Sequence, residues 1–162
     1  MTPNKILVPL DGSAMAEAAI APALEMAQAG SSVLILMRAT NARLLPGGDV
    51  IGAQILAVRE VEDYLGGVKE KLEKQVAGRI KIHLWYGPAA AIVEAAKAQK
   101  VDVIVMSTHG RSGLGRIIFG SVAESVLRGT RVPIFVIRPS GAPVEPLAGQ
   151  AEARPAEAEA LR

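Results

Sequence analysis

Two short stretches of the sequence concentrate residues able to do chemistry. The first, Pro9-Leu10-Asp11-Gly12-Ser13, places a carboxylate and a hydroxyl in a turn directly behind an apolar run. The second leads from Met106-Ser107-Thr108 through His109-Gly110-Arg111-Ser112-Gly113-Leu114-Gly115-Arg116 to Gly120-Ser121-Val122. Its glycines let backbone amides approach an anion closely, and a helix opening at Ser121 would add the positive end of its dipole. Arg111 and Arg116 could supply forked hydrogen bonds to phosphate oxygens. The combination points to a phosphate cradle. A carboxylate cannot bind phosphate directly, so Asp11 would hydrogen-bond a ribose or base, or make a water-mediated metal contact.

Each feature also has a plainer explanation. Ser121-Val122-Ala123-Glu124 fits a capping box, in which Ser121 caps the helix and Glu124 reaches back, so neither residue needs a ligand. Asp11 fits an Asx turn or a helix cap. Glycines are often only turn residues, and both arginines could be solvated. Better-known signatures are missing. There is no G-x-x-x-x-G-K-[ST], and Asp11-Gly12-Ser13 replaces the G-x-G-x-x-G of dinucleotide binders. Gly110-Arg111-Ser112-Gly113-Leu114 fails the hydrolase elbow at its last position. His109 beside Ser107 and Ser112 is poor support for a triad, because adjacency in sequence is not adjacency in a site. No catalytic set is assigned.

The elements that would hold these stretches follow from periodicity. Lys5–Leu10, 32–38, 101–107 and 132–138 read as buried strands, and 79–85 alternates as a half-buried strand at a sheet edge, with His83 on the solvated face. Ala16, Ala19, Ile20, Ala23, Leu24 and Ala27 share one helix face, which Pro22 should kink or restart and Gly30 should end. Val58, Val61, Leu65, Val68 and Leu72 predict a long amphipathic helix over 53–76 despite Gly66-Gly67. Further helices are expected from Gly87-Pro88 to Gln99 and over 121–128. Residues 39–52 form the longest internal loop. Strands and helices alternate throughout, which implies a three-layer α/β domain with a parallel sheet. Ligands bind such sheets at the carboxyl ends of the strands, where the two stretches lie.

Composition narrows the classes. The chain has 162 residues with no cysteine, two histidines and a net charge of +2. One domain of this size can bury its own core, and thiolate chemistry and Cys-based metal sites are excluded. The small net charge and five aromatic residues argue against a nucleic-acid coat. No apolar stretch is long enough for a membrane span or a signal peptide, so a cytoplasmic location is expected. The charge is unevenly spread: residues 107–138 hold five arginines against Glu124, while 139–162 hold two arginines against four glutamates. That last segment, rich in Pro, Ala and Glu, reads as a flexible tail. The expected organisation is an α/β domain over 1–139 and a tail over 140–162.

The chain resembles the universal stress protein family through KILVPLDGS at its start, Gly87-Pro88-Ala89, and VDVIVMSTHGRSGLGRIIFGSVAESVLRGTRVPIFVIRP. The resemblance covers about residues 3–139 and implies a Rossmann-like five-stranded parallel sheet of order 3-2-1-4-5. It also implies ATP or AMP as ligand, with magnesium left open as a companion ion. ATP-binding members carry a glycine, two residues, a glycine, nine residues, then glycine and serine or threonine. Here Gly110, Gly120 and Ser121 match, and Ser107 stands at the leading glycine. By resemblance, Asp11 and the backbone near Pro9 and Ala39 would hold the adenosine end, beside Met106 and Ser107. Gly110, Arg111, Gly120, Ser121 and Val122 would hold the phosphates. The resemblance further implies a homodimer through Val132 to Arg138, which would also cover an apolar edge strand. A nucleotide-free interaction dimer is the alternative, and a slow ATPase would lack an obvious general base.

Overall fold

A run with no polar side chain inside it must be covered on both faces, and Ile6, Leu7 and Val8 are fully buried in the strand β1 (Lys5–Leu10). The computed structural model describes residues 3–30, 32–39, 49–76, 81–87, 91–108 and 120–139. After β1 the chain forms α1 (Ala14–Glu17), α2 (Ile20–Gly30), β2 (Val33–Ala39), α3 (Val50–Val76) and β3 (Lys81–Gly87). It continues through α4 (Ile92–Gln99), β4 (Val103–Ser107), α5 (Ser121–Gly129) and β5 (Ile134–Ile137). The sheet is five-stranded and parallel, in the order β3-β2-β1-β4-β5, so the expected Rossmann-like three-layer architecture is the observed one.

Alternation along the strands divides the interior into two cores. Ile6, Val8, Leu34, Leu36 and Val105 face α1, α2 and α3, joined by Val61, Leu65, Val68 and Leu72 from the predicted stripe of α3 and by Val76 at its end, while Val58, the first residue of that stripe, is only half-buried. Leu7, Ile35, Met37, Ile104 and Met106 face α4 and α5, where Ile92, Ala95, Ala123 and Val126 close over them. Each fully buried Leu or Ile contributes roughly 1.5–3 kcal/mol, so both helical layers are fastened to the sheet by apolar area.

Several local expectations are adjusted. The helical segment after β1 breaks at Ala18 and Ala19, so Pro22 lies in the first turn of α2, where its missing amide removes no helical bond. The α3 helix begins at Val50, earlier than the stripe indicated, and leaves Val50, Ile51, Ile55 and Leu56 exposed. The edge position of β3 and the exposure of His83 are as expected. Trp85 instead packs on the α4 side of the sheet, because the second layer of helices covers that face too. The tail over 140–162 and most of the 39–52 loop lie outside the described residues.

At the amino ends of the strands, the Asp102 carboxylate accepts from the amides of Asn4 and Lys5 at 2.8 and 2.9 Å, tying β4 to the start of β1. At that end β1 and β4 are held together. The carboxyl end is built differently.

Candidate functional site

Pro9 stands in the central strand, a position proline normally avoids because it has no amide to give a neighbour. Backbone groups alternate sides along a strand. The Asn4 carbonyl accepts from Val33 on β2, and the Lys5 carbonyl accepts from Asp102 just before β4. Odd-numbered residues of β1 thus face β4, so the donor that Pro9 lacks is missing from the β4 side. Pairing follows accordingly: β1 pairs with β2 from Lys5 to Leu10, but with β4 only at Ile6 and Leu7. Beyond Leu7 and Ile104 the two strands form no ladder. This is also where the connections diverge, α1 covering one face and α5 the other.

The turn after β1 is tightly specified. Asp11 Oδ1 accepts from the Ser13 amide at 2.9 Å, the Asx turn the sequence allowed. Gly12 adopts φ +84°, a left-handed conformation that favours glycine. The Ser13 hydroxyl accepts from the Ala16 amide at 3.1 Å and caps α1. Ser13 is thus the serine that caps a helix in this region.

Ser121 is not the cap of α5. The cap position falls to Gly120, no side chain hydrogen-bonds there, and the helical ladder begins with the Glu124 amide on the Gly120 carbonyl at 2.9 Å. The Glu124 carboxylate turns to Arg128, accepting from Nη2 at 2.7 Å, so the expected capping box does not form. An i,i+4 Glu–Arg pair on an exposed face competes for the side chain the box would need. The amides of Ser121, Val122 and Ala123 therefore precede the ladder without a side-chain cap, at the positive end of the helix.

Gly120 has a structural duty of its own. Its amide donates to the Thr108 carbonyl at 2.8 Å, and a Cβ built on it would stand 2.7 Å from that oxygen. Thr108 in turn donates its amide to Ile137 of β5 at 2.9 Å. Gly120 is thereby bonded to the residue that follows β4, which sets the start of α5 beside the carboxyl end of that strand. An anion cradle fits this arrangement: uncapped amides, a bare glycine beside them, and the parted ends of β1 and β4.

The predicted site residues divide as follows. Pro9, Asp11, Met106, Ser107, Gly120, Ser121 and Val122 gather at the carboxyl ends of β1 and β4, and Ala39 ends β2, with its neighbour Arg38 opposite Leu10. Met106 and Ser107 are buried, and Val122 is exposed. Gly110, Arg111 and Arg116 lie outside the described residues. Sequence reading missed a polar group behind the Asp11 turn. Arg38, at the end of an apolar strand, is 8% exposed. Its Nη2 donates to Glu60 Oε1 at 2.7 Å, and its Cζ lies 4.6 Å from the centre of the Tyr64 ring. The Tyr64 hydroxyl donates to Glu17 Oε1 at 2.7 Å. Burial, and then the Glu17 acceptor, raise the Tyr64 phenol above its ordinary range, so it remains a donor. The signal available was parity: Arg38 shares a face with Leu34 and Leu36, which turns its charge inward.

An open, doubly wound parallel sheet whose ladder between the central strands stops at the topological switch point defines a Rossmann-like α/β protein, a class whose members bind ligands outside the carboxyl ends of the strands. Within that class the chain belongs to the universal stress protein family, whose model matches residues 3–138. It is 33% identical over 142 residues to Universal stress protein MJ0531 of Methanocaldococcus jannaschii, covering 83% of this chain and 82% of that one. It is 32% identical over 138 residues to Universal stress protein Mb2028c of Mycobacterium bovis, spanning 83% of this chain but 45% of that longer relative. Among solved structures, protein MJ0577 superposes with a TM-score of 0.71 at 24% identity, over 86% of this chain and 98% of that one. A universal stress protein in complex with cAMP superposes with a TM-score of 0.62 at 20% identity, over 85% and 98%. These superpositions support the fold.

Proposed function

We propose that the protein is a cytoplasmic stress-response protein that binds ATP or AMP at the carboxyl ends of β1 and β4 and acts as a nucleotide-dependent regulatory or protective dimer. The observation that carries this reading is the parting of β1 from β4 at Pro9 directly beside the uncapped start of α5. Asp11 would meet the ribose, and the backbone at Pro9 and Ala39 the base. The amides of Ser121 and Val122, with Gly110 and Arg111, would meet the phosphates. Gly120, whose amide already bonds Thr108, would shape the cradle by lacking a Cβ. A structural neighbour solved with cAMP supports an adenine nucleotide as the ligand class. Magnesium would accompany a triphosphate.

The dimer reading rests on β5, which ends the sheet with Phe135 45% exposed. An apolar edge strand invites pairing with a second copy. Among the described residues no helix is long and apolar enough to cross a membrane.

The nucleotide-free alternative has one observation in its favour: Ser107 occupies the leading glycine position and is buried. One experiment separates the two. The purified protein is heated, the supernatant chromatographed, and the protein titrated calorimetrically with ATP and AMP in magnesium buffer. Co-purified adenine nucleotide or saturable binding is expected. Neither nucleotide in the supernatant nor heat of binding at millimolar ligand would leave the interaction dimer as the reading.

A further inference from the structure

The polar group behind the Asp11 turn is more elaborate than an ion pair requires. Arg38 has a side chain only 9% exposed, whereas its partner Glu60 is 68% exposed and sits in water. A pair with one hydrated member adds little to stability, and burying the other member costs desolvation energy. Apolar residues would serve a core position better. What distinguishes Arg38 is where its guanidinium lies: a Cβ on Gly12 would meet Arg38 Cζ at 3.3 Å and Nη2 at 3.4 Å. The flat guanidinium therefore rests against the left-handed turn residue, and it lies over the Tyr64 ring at 4.6 Å. Tyr64, from α3, holds Glu17 of α1 through its hydroxyl. The Asp11-Gly12-Ser13 turn is thus backed by β2 through Arg38, while the helix it leads into is tied to α3 through Tyr64.

We propose that Arg38 is a positioning residue, resting against Gly12 to hold the turn in the shape that presents Asp11 to the ribose of a bound nucleotide. The inference rests on the nucleotide reading above. Arg38 acts through the turn and touches no ligand. Glu60 and the Tyr64 ring hold the guanidinium flat, and Gly12 is bare so that the two surfaces can meet.

The test pairs a ligand-free readout with a ligand readout. Arg38→Met keeps an unbranched side chain as far as the position of Nε and removes the charge and the planar fork that lies against Gly12. In the ligand-free protein, the Ser13 amide, held by Asp11 Oδ1, should exchange with solvent roughly tenfold faster in this variant. In calorimetry, the wild type should prefer ATP over 2′-deoxy-ATP or 3′-deoxy-ATP by roughly tenfold or more, the worth of a hydrogen bond to a carboxylate. In Arg38→Met that preference should fall to within about twofold, as it should in Asp11→Asn. A merely structural role would lower stability and weaken all three nucleotides in parallel. If Arg38→Met does not fold, Glu60→Gln, on the exposed side of the pair, is read instead and should move both quantities in the same direction by a smaller factor. An unchanged preference, or a wild type that prefers ATP over neither analogue, overturns the inference, as does unchanged Ser13 exchange. If the wild type binds no adenine nucleotide, the nucleotide reading falls, and Ser13 exchange alone decides whether Arg38 orders the turn.

Discussion

Replacing Gly120 by alanine tests the closure of the cradle. Its backbone, φ −60° and ψ 151°, suits any residue, so alanine brings no conformational penalty and the outcome is decided by space. The added Cβ would lie 2.7 Å from the Thr108 carbonyl oxygen, part of the backbone and unable to rotate away. Restoring ordinary contact requires a separation of roughly half an ångström or more. That would stretch the 2.8 Å Gly120–Thr108 hydrogen bond past its useful range. Losing the bond costs about 1 kcal/mol and residual crowding about 1–3 kcal/mol, against about 0.4–1 kcal/mol gained by restricting the unfolded chain. The net loss is about 1–3 kcal/mol, a fall in Tm of roughly 3–10 °C for a chain of this size. Because the start of α5 must move with residue 120, ATP affinity should fall at least about tenfold as its amides leave register with the phosphates. Urea unfolding and calorimetry check both. A variant with wild-type stability and wild-type ATP affinity would refute the closure.

Gly66→Ala is the natural control, since its Cβ would meet nothing within 4 Å in the middle of α3; it should raise stability by about 0.5–1 kcal/mol in urea unfolding. Pro9→Ala restores an amide facing β4. That amide should be protected from hydrogen exchange as the β1–β4 ladder lengthens, while ATP affinity drops severalfold. Tyr64→Phe addresses alkaline stability. The folded phenol titrates above its ordinary value near 10, so between that pH and its folded value the unfolded state binds fewer protons and stability falls as pH rises. The phenylalanine variant should lose this share of the decline above pH 10 in pH-dependent urea unfolding.

The order of elements was legible because burial imposes its period on sequence. The α3 stripe from Val61 to Leu72 and the apolar runs of β1, β2 and β4 are required by helices and strands covered on the observed faces. The Gly120-Ser121 junction was legible as a helix start through a different and purely local cue, a glycine followed by the Ser121–Glu124 capping pattern. Which residue caps that helix was not. Ser121 and Glu124 satisfy a local pattern, but Arg128 takes Glu124, and the Thr108 carbonyl, brought there by β4 and β5, draws the Gly120 amide.

By itself the sequence determined the α/β alternation, the two strand-end clusters and the family pattern that joins them, because propensity, periodicity and glycine spacing are local properties. The tertiary structure decided that Pro9 withholds its donor from β4 and not from β2, and that Arg38 lies against Gly12 with Tyr64 beneath it. Those facts depend on which strand lies beside which and on which face each side chain turns to. Such neighbours, distant in sequence, are set only when the two apolar cores close over both sides of the sheet.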